Sequence, residues 1–555
     1  MDFYSQSEYG NMITIEKTVN VTSSQIMFLY WLDISGGTNL SSSVKIVSDH
    51  LSETDFKSAY KIFKKMHIPL NVGWEVDGVL YGDATCHLLE DSSDSFYFSN
   101  KSTDNDFDLG KESSLLLNER FSPDEGVHHR LNVYEYSDNV YYIVLVCDHL
   151  IIDGLGANVL MNNYLCVLND ITTDNETPDV RERELDTYNS EIMRQNNYEY
   201  GDVDKAAYEE YMRSASSIRM QWNPCDKRMK NAIGNYKTKE IVIEKNDLES
   251  LSEKTKSKSI SLFSLLIDGF TRSLESVSLD NDNLLLQIPT HGRSVGNSLL
   301  DDSVVGCFSQ AVPMLINSDI FLAQEDDRVI KIDKRLKFLL THHIDAVNSI
   351  KISQTLASHK QLRSKLRNDD FRCFIMENMP SNIYFSYYGN SSIKNEHSRI
   401  SVKNIAIATT NNPGVLDVLG IMFNGELKFF FNYDSTYFTE EVIDKLSNNF
   451  KRIIENRQDA APVEMSISSI VNVESRVKPL VLKAIDMYAA VTVDDMDMHL
   501  EIDLGIDSLS KMKLVSEIQR KLDAVDHYLL RDKLNSALTV GEVINAVTES
   551  SQKGV

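Results

Sequence analysis

The sequence predicts a large α/β region followed by a small helical domain. Strand-like apolar runs alternate with helical periodicity over the first 455 or so residues, as in Val140–Cys147 followed by Leu155–Asn169. From residue 478 onward, apolar residues recur at the three- and four-residue steps typical of short helices. Between the two regions, Glu455–Lys478 lacks a long periodic pattern and contains an Ala-Ala-Pro break, which indicates a linker.

These changes of pattern set the predicted domain boundaries. The α/β region covers residues 1–456, with a first lobe at about 1–195 and a second lobe at about 225–456. A linker covers residues 457–477, and a four-helix bundle covers residues 478–555.

Individual elements of the α/β region follow from the same periodicities. Besides the strand and helix already given, we expect two strands, at Asn283–Pro289 and Leu427–Tyr433, and one helix, at Ile260–Val277. We also expect two exposed loops, at Glu90–Asp108 and Asn169–Glu184.

The composition narrows the possible functions. With 82 acidic and 56 basic residues, the formal net charge is −26, which repels phosphate backbones and anionic lipids, so we expect neither a nucleic-acid nor a membrane partner. The segment Met1–Lys17 has no basic cluster or apolar run, and no segment approaches the roughly twenty apolar residues of a membrane span, which predicts a cytoplasmic protein. The six cysteines form no C-x-x-C pair, so we predict neither a metal site nor disulfides.

A histidine motif lies where the predicted strand meets the next helix. His149 falls at the end of the strand, and Asp153-Gly154 falls in the turn that starts the helix. An imidazole there can take a proton from an amine or hydroxyl, because its pKa is close to neutral pH. Asp153 can accept a hydrogen bond from the loop backbone or pair with an arginine, and Gly154 lets the chain turn without a Cβ clash. The spacing alone is also compatible with a histidine in a loop and an aspartate that caps the next helix. This ordinary arrangement is the commoner meaning of an isolated H-x-x-x-D-G.

Two other histidine pairs lack this context. His128-His129 and His342-His343 are not followed by Asp-Gly at the same distance. We assign both pairs to loops or ends of elements, without a function.

A serine motif lies in the predicted bundle. Ser508 follows Asp507 and begins a helix whose apolar residues recur at helical spacing, namely Leu509, Met512, Val515, Ile518 and Leu522. A phosphodiester on this hydroxyl would lie where helix N-terminal amides and the helix dipole favour negative charge. An ordinary N-cap serine gives the same pattern.

In combination these motifs point to a family. Leu504–Leu509, the apolar helix after it, a helix some twenty residues upstream and the closing Ala537–Val547 resemble a carrier protein domain of nonribosomal peptide and polyketide assembly lines. The resemblance covers Lys478–Val547. It implies that Ser508 carries a 4′-phosphopantetheine arm, installed by a separate phosphopantetheinyl transferase, whose thiol holds an acyl or aminoacyl group as a thioester.

The first 455 or so residues resemble a condensation domain of the same systems. That family has two lobes, each like chloramphenicol acetyltransferase, with a tunnel between them and the motif H-H-x-x-x-D-G on the first lobe. The matching stretch here is Asp148–Gly154. Weaker matches follow the family's order at Ser23–Leu32, Met66–Gly78 and His291–Leu315, although the arginine usual after the family histidine in the second of these is absent.

The resemblance implies a role for each matched residue. His149 is the catalytic residue, either as general base toward the acceptor or by orienting it and stabilising the tetrahedral intermediate. Asp153 is structural and pairs with an arginine, for which Arg293 is the first choice and Arg130 the alternative. No acyl-enzyme is required, so Cys147 is expected to face the core rather than act as a nucleophile.

Asp148 departs from the family, since it replaces the first motif histidine. A carboxylate close to the His149 ring would raise the pKa of that ring. Because adjacent side chains on a strand point to opposite faces, we expect Asp148 instead to face away and bond backbone or polar groups of the first lobe.

The predicted function is therefore carrier-dependent transfer of an acyl or peptidyl group from a thioester to an amine or hydroxyl. The short linker leaves no room for an adenylation domain, so we expect the carrier to be loaded in trans by an adenylation or other loading enzyme, and to work with upstream or downstream carriers. Two alternatives remain: a non-catalytic platform that docks carriers, and a terminal acyltransferase that releases the chain onto a free small amine or alcohol.

Overall fold

The structure is a computed structural model. It describes residues 15–35, 38–49, 51–75, 85–89, 95–101, 109–122, 126–173, 181–215, 235–275, 283–295, 298–300, 304–358, 381–410, 414–455, 481–482, 485, 498, 500, 514, 518 and 539–553. The chain divides into two compact units, one of Met1–Gly269 with Leu285–Asn456 and the other of Phe270–Leu284 with Arg457–Val555. The predicted linker and most of the predicted bundle lie outside the described residues.

The strands of the described part are numbered in chain order. They are β1 Ile15–Val19, β2 Asn39–Ser48, β3 Val72–Glu75, β4 Thr85–Leu89, β5 Phe96–Asn100, β6 His129–Ser137, β7 Val140–Asp148, β8 Tyr236–Ile243, β9 Asn283–Thr290, β10 Ser294–Val295, β11 Ser298–Leu299, β12 Gln310–Asn317, β13 Ile383–Asn390, β14 Ile400–Thr409, β15 Leu416–Phe423 and β16 Glu426–Asp434.

The helices are numbered in the same way. They are α1 Ser23–Ser35, α2 Glu53–Met66, α3 Leu109–Leu117, α4 Gly154–Thr172, α5 Arg181–Asn196, α6 Asp202–Ala215, α7 Lys245–Lys258, α8 Leu262–Glu275, α9 Ser318–Phe321, α10 Glu325–Thr341, α11 Ile344–Ser358, α12 Glu440–Ile454 and α13 Val540–Lys553. None of the described helices is long and apolar enough to cross a membrane.

Strand β7 is the centre of a five-stranded sheet with the order β14-β2-β7-β6-β5. Its sequence is nearly continuously apolar because both of its faces are covered. Ile143 and Leu145 belong to the main core with residues of α4, whereas Val144 and Val146 pack with Leu116 of α3 on the other face. The strand that carries the histidine motif is therefore held rigidly on both sides.

Helix α4 follows β7 and packs beside α2 and the sheet. Most of its circumference is buried, including Leu160, Met161 and Tyr164. The residues that the sequence places near one face, Leu155, Val159 and Cys166, lie on the less buried side of the helix.

A second sheet of six strands has the order β12-β9-β13-β15-β16-β8. Strand β13 runs parallel to both β9 and β15, whereas β16 pairs antiparallel with β15 and β8. This mixed sheet belongs to the predicted second lobe.

Strand β14 lies in the sequence range of the predicted second lobe but pairs with the sheet of the first lobe. It falls within residues 225–456 of the sequence, yet it pairs antiparallel with β2 and forms an edge of the five-stranded sheet. Its Ile400, Val402, Ile405 and Ile407 share the core of the first lobe, which gives the physical reason for the crossing.

Strand β5 corrects one expectation from the sequence. It lies inside Glu90–Asp108, which the sequence analysis treats as an exposed loop, and it pairs in parallel with β6. Phe96 and Phe98 pack against the main core, while Tyr97 between them is exposed. The polar residues around this short alternating run conceal it in the sequence.

Candidate active site

The histidine motif occupies a turn between β7 and α4 that backbone hydrogen bonds hold at both ends. Asp148, the last residue of β7, donates its amide to the carbonyl of His128 (2.8 Å), and His149 donates its amide to the carbonyl of Thr38 (2.7 Å). The amide of Asp153 donates to the carbonyl of Gly306 in the second lobe (3.2 Å). These backbone hydrogen bonds alone hold the main chain of the turn in place.

The His149 ring is held by contacts on one face and one edge. The ring of Phe28 on α1 stacks on it, with 3.9 Å between centroids and 17° between planes. The Sγ atom of Cys307 lies 3.8 Å from Nδ1. The carbonyls of His149 itself and of Ile152 also act on the ring and favour its charged form. In the Nδ1–H tautomer the lone pair lies on Nε2, and in the Nε2–H tautomer it lies on Nδ1, beside Cys307.

Burial controls the charge of this imidazole. Desolvation lowers the pKa of His149 to about 4, against the opposing effects of the two carbonyls and the negative charge of Asp153. His149 is therefore neutral at pH 7, and one of its ring nitrogens can accept a proton. Burial also raises the pKa of the Cys307 thiol well above its usual range, so the group beside Nδ1 is a thiol rather than a thiolate.

The Asp153 carboxylate ties the turn to the second lobe. It caps α4 by accepting a hydrogen bond from the amide of Gly156 (2.7 Å). It also accepts bonds from Nη1 (2.8 Å) and Nη2 (3.3 Å) of Arg293 and from the amide of Phe308 (3.0 Å). A carboxylate with these partners is fixed in place and orders the segment that carries His149.

Arg293 reaches Asp153 from a tight loop. Its side chain is buried, donates to the carbonyl of His291 (3.0 Å) and lies over the ring of Phe308, 4.9 Å from the centroid. The preceding Gly292 has φ +59°, and a Cβ there would lie 1.6 Å from the carbonyl oxygen of Phe308, so only glycine fits.

The alternative partner, Arg130, lies elsewhere. It forms an ion pair with Glu119 (2.8 Å), and its side chain is 43% exposed.

Asp148 is buried and turns back to the main chain. Its Oδ1 accepts a hydrogen bond from the amide of Leu150 (2.8 Å). Burial raises the pKa of the Asp148 carboxyl to about 7, and the bond from Leu150 opposes this rise only partly.

Gly154 leaves room for a side chain from a distant strand. A Cβ at this position would lie 2.1 Å from the hydroxyl of Tyr388 on β13. The glycine therefore admits a second-lobe tyrosine against the first turn of α4, rather than relieving strain in the turn itself.

The remaining histidine and cysteine candidates lie apart from the turn's chemistry. Cys147 is buried in the main core. His128 and His129 are also buried at the start of β6, and burial lowers the pKa values of their imidazoles to about 4 and about 3. His342 and His343 follow α10, and His343 has φ +49°.

In the described residues, no group of three His, Cys, Asp or Glu side chains is placed to hold a metal ion.

The sequence of the chain matches one protein-family model over more than half its length. The matching model is that of the condensation domain, and the match covers residues 96–475, which include the histidine motif. The chain belongs to the condensation domain family. No curated protein matches it.

Solved structures of related domains share the fold of this condensation domain. The epimerization domain from the third module of tyrocidine synthetase B has a TM-score of 0.60 at 14% identity, covering 81% of this chain and 98% of that one. The first condensation domain of the calcium-dependent antibiotic synthetase, solved with a substrate analogue, gives 0.60 at 12%, covering 81% and 100%. The EpoB cyclization-docking bidomain from Sorangium cellulosum gives 0.56 at 12%, covering 79% and 85%. At such identities the likeness establishes the fold alone.

Several residues around the turn are absent from the sequence-based prediction. Phe28 and Cys307 fall inside segments matched to the family, but nothing in those segments marks them as neighbours of His149. Tyr388 lies in an ordinary strand pattern and gives no signal in the sequence. Ser508, the predicted attachment site, lies outside the described residues, so its role stays a prediction.

Proposed function

We propose that this condensation domain transfers an acyl or peptidyl group from a carrier-bound thioester to an amine or hydroxyl acceptor. The observation that carries the proposal is the buried His149 ring, which stacks on Phe28 and has Cys307 beside Nδ1, in a turn that the Asp153–Arg293 pair ties to the second lobe. In the Nδ1–H tautomer that we propose, this neutral imidazole has its lone pair on Nε2 and is suited to accept a proton from a nucleophile.

In the proposed reaction, the acceptor N–H or O–H donates a hydrogen bond to Nε2 of His149. The nucleophile attacks the thioester carbonyl and the new C–N or C–O bond forms, while its proton moves to Nε2. The C–S bond then breaks, and the proton passes from His149 to the leaving sulfur. Because burial disfavours the imidazolium, we expect His149 to hold the proton only transiently and to orient the acceptor throughout.

We also propose that Ser508 carries a 4′-phosphopantetheine arm. A phosphopantetheinyl transferase would install the arm, which would hold the acyl group as a thioester. The support is the resemblance of Lys478–Val547 to a carrier domain. Loading would come in trans from an adenylation or other loading enzyme, and the second thioester from an upstream or downstream carrier.

Intact-protein mass spectrometry of the full chain tests this function. After phosphopantetheinylation, the chain is mixed with partner carriers loaded with candidate acyl groups. We expect the arm mass on wild-type protein and none on Ser508→Ala, followed by a condensed product that needs His149. Persistence of the arm on Ser508→Ala, or product formation by His149→Ala at the wild-type rate, would refute the proposal.

The same measurement separates the two alternatives. Asp148 in place of the first motif histidine is the observation that favours a non-catalytic docking platform, and turnover with any loaded donor eliminates that function. A terminal acyltransferase would release its product as a free amide or ester, whereas the proposed function leaves the product attached to a carrier.

A further inference from the structure

Strand β13 presents a row of hydroxyl groups on one face. Residues of a strand alternate between faces, so Tyr384, Ser386 and Tyr388 share one side. Phe385 and Tyr387 share the other side, where their rings lie 6.2 and 6.0 Å from that of Phe263. The first row therefore faces away from the helix that covers the sheet.

Tyr388 brings this row to the turn that carries His149. Its hydroxyl lies against Gly154, since a Cβ at that glycine would lie 2.1 Å from it. Gly154 directly follows Asp153, the residue that caps α4, so the phenol lies at the N-terminus of this helix.

The Tyr388 phenol is available as a hydrogen-bond donor. Burial raises its pKa, so it stays protonated at neutral pH, yet the side chain remains only half-buried. The hydroxyl of Ser386, two residues earlier on the same face of β13, is buried and has no hydrogen-bond partner among the described residues.

Asn158 supplies an unmatched acceptor at the same place. It lies one turn after Gly154 on α4, is 1% exposed, and donates from Nδ2 to the carbonyl of Gly154 (3.2 Å). Its Oδ1 is buried and has no hydrogen-bond partner among the described residues. Leaving such an atom unsatisfied costs free energy, so a donor that completes it is stabilising.

We propose that Tyr388, Ser386 and Asn158 form a polar specificity subsite beside His149. Its ligand is a hydroxyl or amino substituent on one of the two reacting chains, close to the reacting carbonyl or nucleophile. Such a group can accept a hydrogen bond from the Tyr388 phenol and donate one to Oδ1 of Asn158. A plain alkyl chain can do neither and leaves the buried oxygen unsatisfied. The inference rests on the proposed function and names its substrate class.

Matched substrates test the subsite in the full, phosphopantetheinylated chain. One pair of acyl thioesters differs only in an α-amino or α-hydroxyl group, and one pair of acceptors shares the same nucleophilic amine and differs only in one additional hydroxyl group next to it. For one of the two pairs, we expect wild-type protein to prefer the substituted member in kcat/KM, and Tyr388→Phe or Asn158→Leu to reduce that preference about tenfold, the effect of one hydrogen bond. The pair that responds identifies which chain carries the substituent.

Tyr387→Phe is the matched control, because it removes the same atom from the opposite face of β13 and is expected to keep the wild-type preference. Equal activity of wild-type protein on both members of both pairs would overturn the subsite. So would an equal loss on both members in Tyr388→Phe, which indicates a merely structural role. Failure of the proposed function is distinct, since it leaves His149→Ala as active as wild-type protein.

Discussion

At the scale of single residues, burial sets the protonation states of the groups in and beside the turn that carries His149. His149 loses its charge, the Cys307 thiol keeps its proton, and the Asp148 carboxyl titrates near neutral pH, in each case with desolvation as the largest cause. The buried surroundings of the turn therefore influence its protonation states as strongly as the identities of the motif residues do.

The charge of His149 gives the first prediction. We expect its imidazole to titrate at about pH 4, since desolvation penalises the imidazolium. NMR titration of the histidine ring signals measures this value, and the His149→Gln variant identifies the signal. An imidazole that titrates near its ordinary pKa of about 6.5 would contradict the account.

Asp148 gives a second prediction, on stability. In the folded protein its pKa is raised to about 7, so between about pH 4 and pH 7 the folded state holds a proton that the unfolded state lacks. The contribution of this carboxyl to stability is therefore complete at low pH and is lost as the pH rises to 7.

Asp148→Asn removes that titration but keeps an acceptor for the amide of Leu150. As the pH rises from about 5 to about 7, we expect the variant to gain stability relative to wild-type protein, by up to about 1.4 kcal/mol per pH unit. Urea unfolding over this range measures the difference. A constant difference in unfolding free energy would show that Asp148 is an ordinary ionised carboxylate in the fold.

At the scale of elements, the N-terminus of α4 is the joint between the lobes. Asp153 caps the helix and pairs with Arg293, which lies 140 residues further along the chain. Both side chains of this ion pair are almost fully buried, at 2% and 6% exposed, whereas Arg130 and Glu119 form a partly exposed pair.

This contrast predicts unequal costs. Asp153→Asn leaves Arg293 buried without a counter-charge and should lower the free energy of unfolding by about 3–5 kcal/mol. Arg130→Ala, the control, should cost less than about 1 kcal/mol because its pair is screened by solvent. Urea unfolding of both variants checks the ranking, and similar losses would show that the Asp153 pair does not join the lobes.

Elements also show how far the sequence alone can predict this protein. Strand β7 and helix α4 lie within a few residues of their predicted ends, because local apolar periodicity determines both. Strand β5 is missed, since its burial depends on pairing with β6. The place of β14 in the first sheet is likewise a long-range pairing, with β2, that no local pattern records.

The candidate site likewise has some contacts that the sequence predicts and others that it does not. The motif residues share one turn, and the resemblance to the family anticipates the pairing of Asp153 with Arg293. The contacts of Phe28, Cys307 and Tyr388 form only when distant segments fold together, as the separation of 158 residues between His149 and Cys307 illustrates. A single sequence carries no signal for such contacts unless a family motif happens to include them.

At the scale of the whole molecule, the second lobe completes a site that the first lobe begins. The first lobe supplies His149, Asp153 and Gly154, while the second supplies Arg293, Cys307 and Tyr388. Strand β14 adds a continuous sheet connection, since it lies between two second-lobe strands in sequence and pairs with the first-lobe sheet.

The single-turnover rate of acyl transfer tests the central claim most directly. Wild-type protein and His149→Ala, both phosphopantetheinylated and supplied with the same loaded partner carrier and acceptor, are compared by the rate at which condensed product appears. Proton transfer by a positioned side chain contributes about 10²–10⁴-fold, so we predict a loss of that size in the variant. Product formation by His149→Ala within about twofold of the wild-type rate would contradict the account.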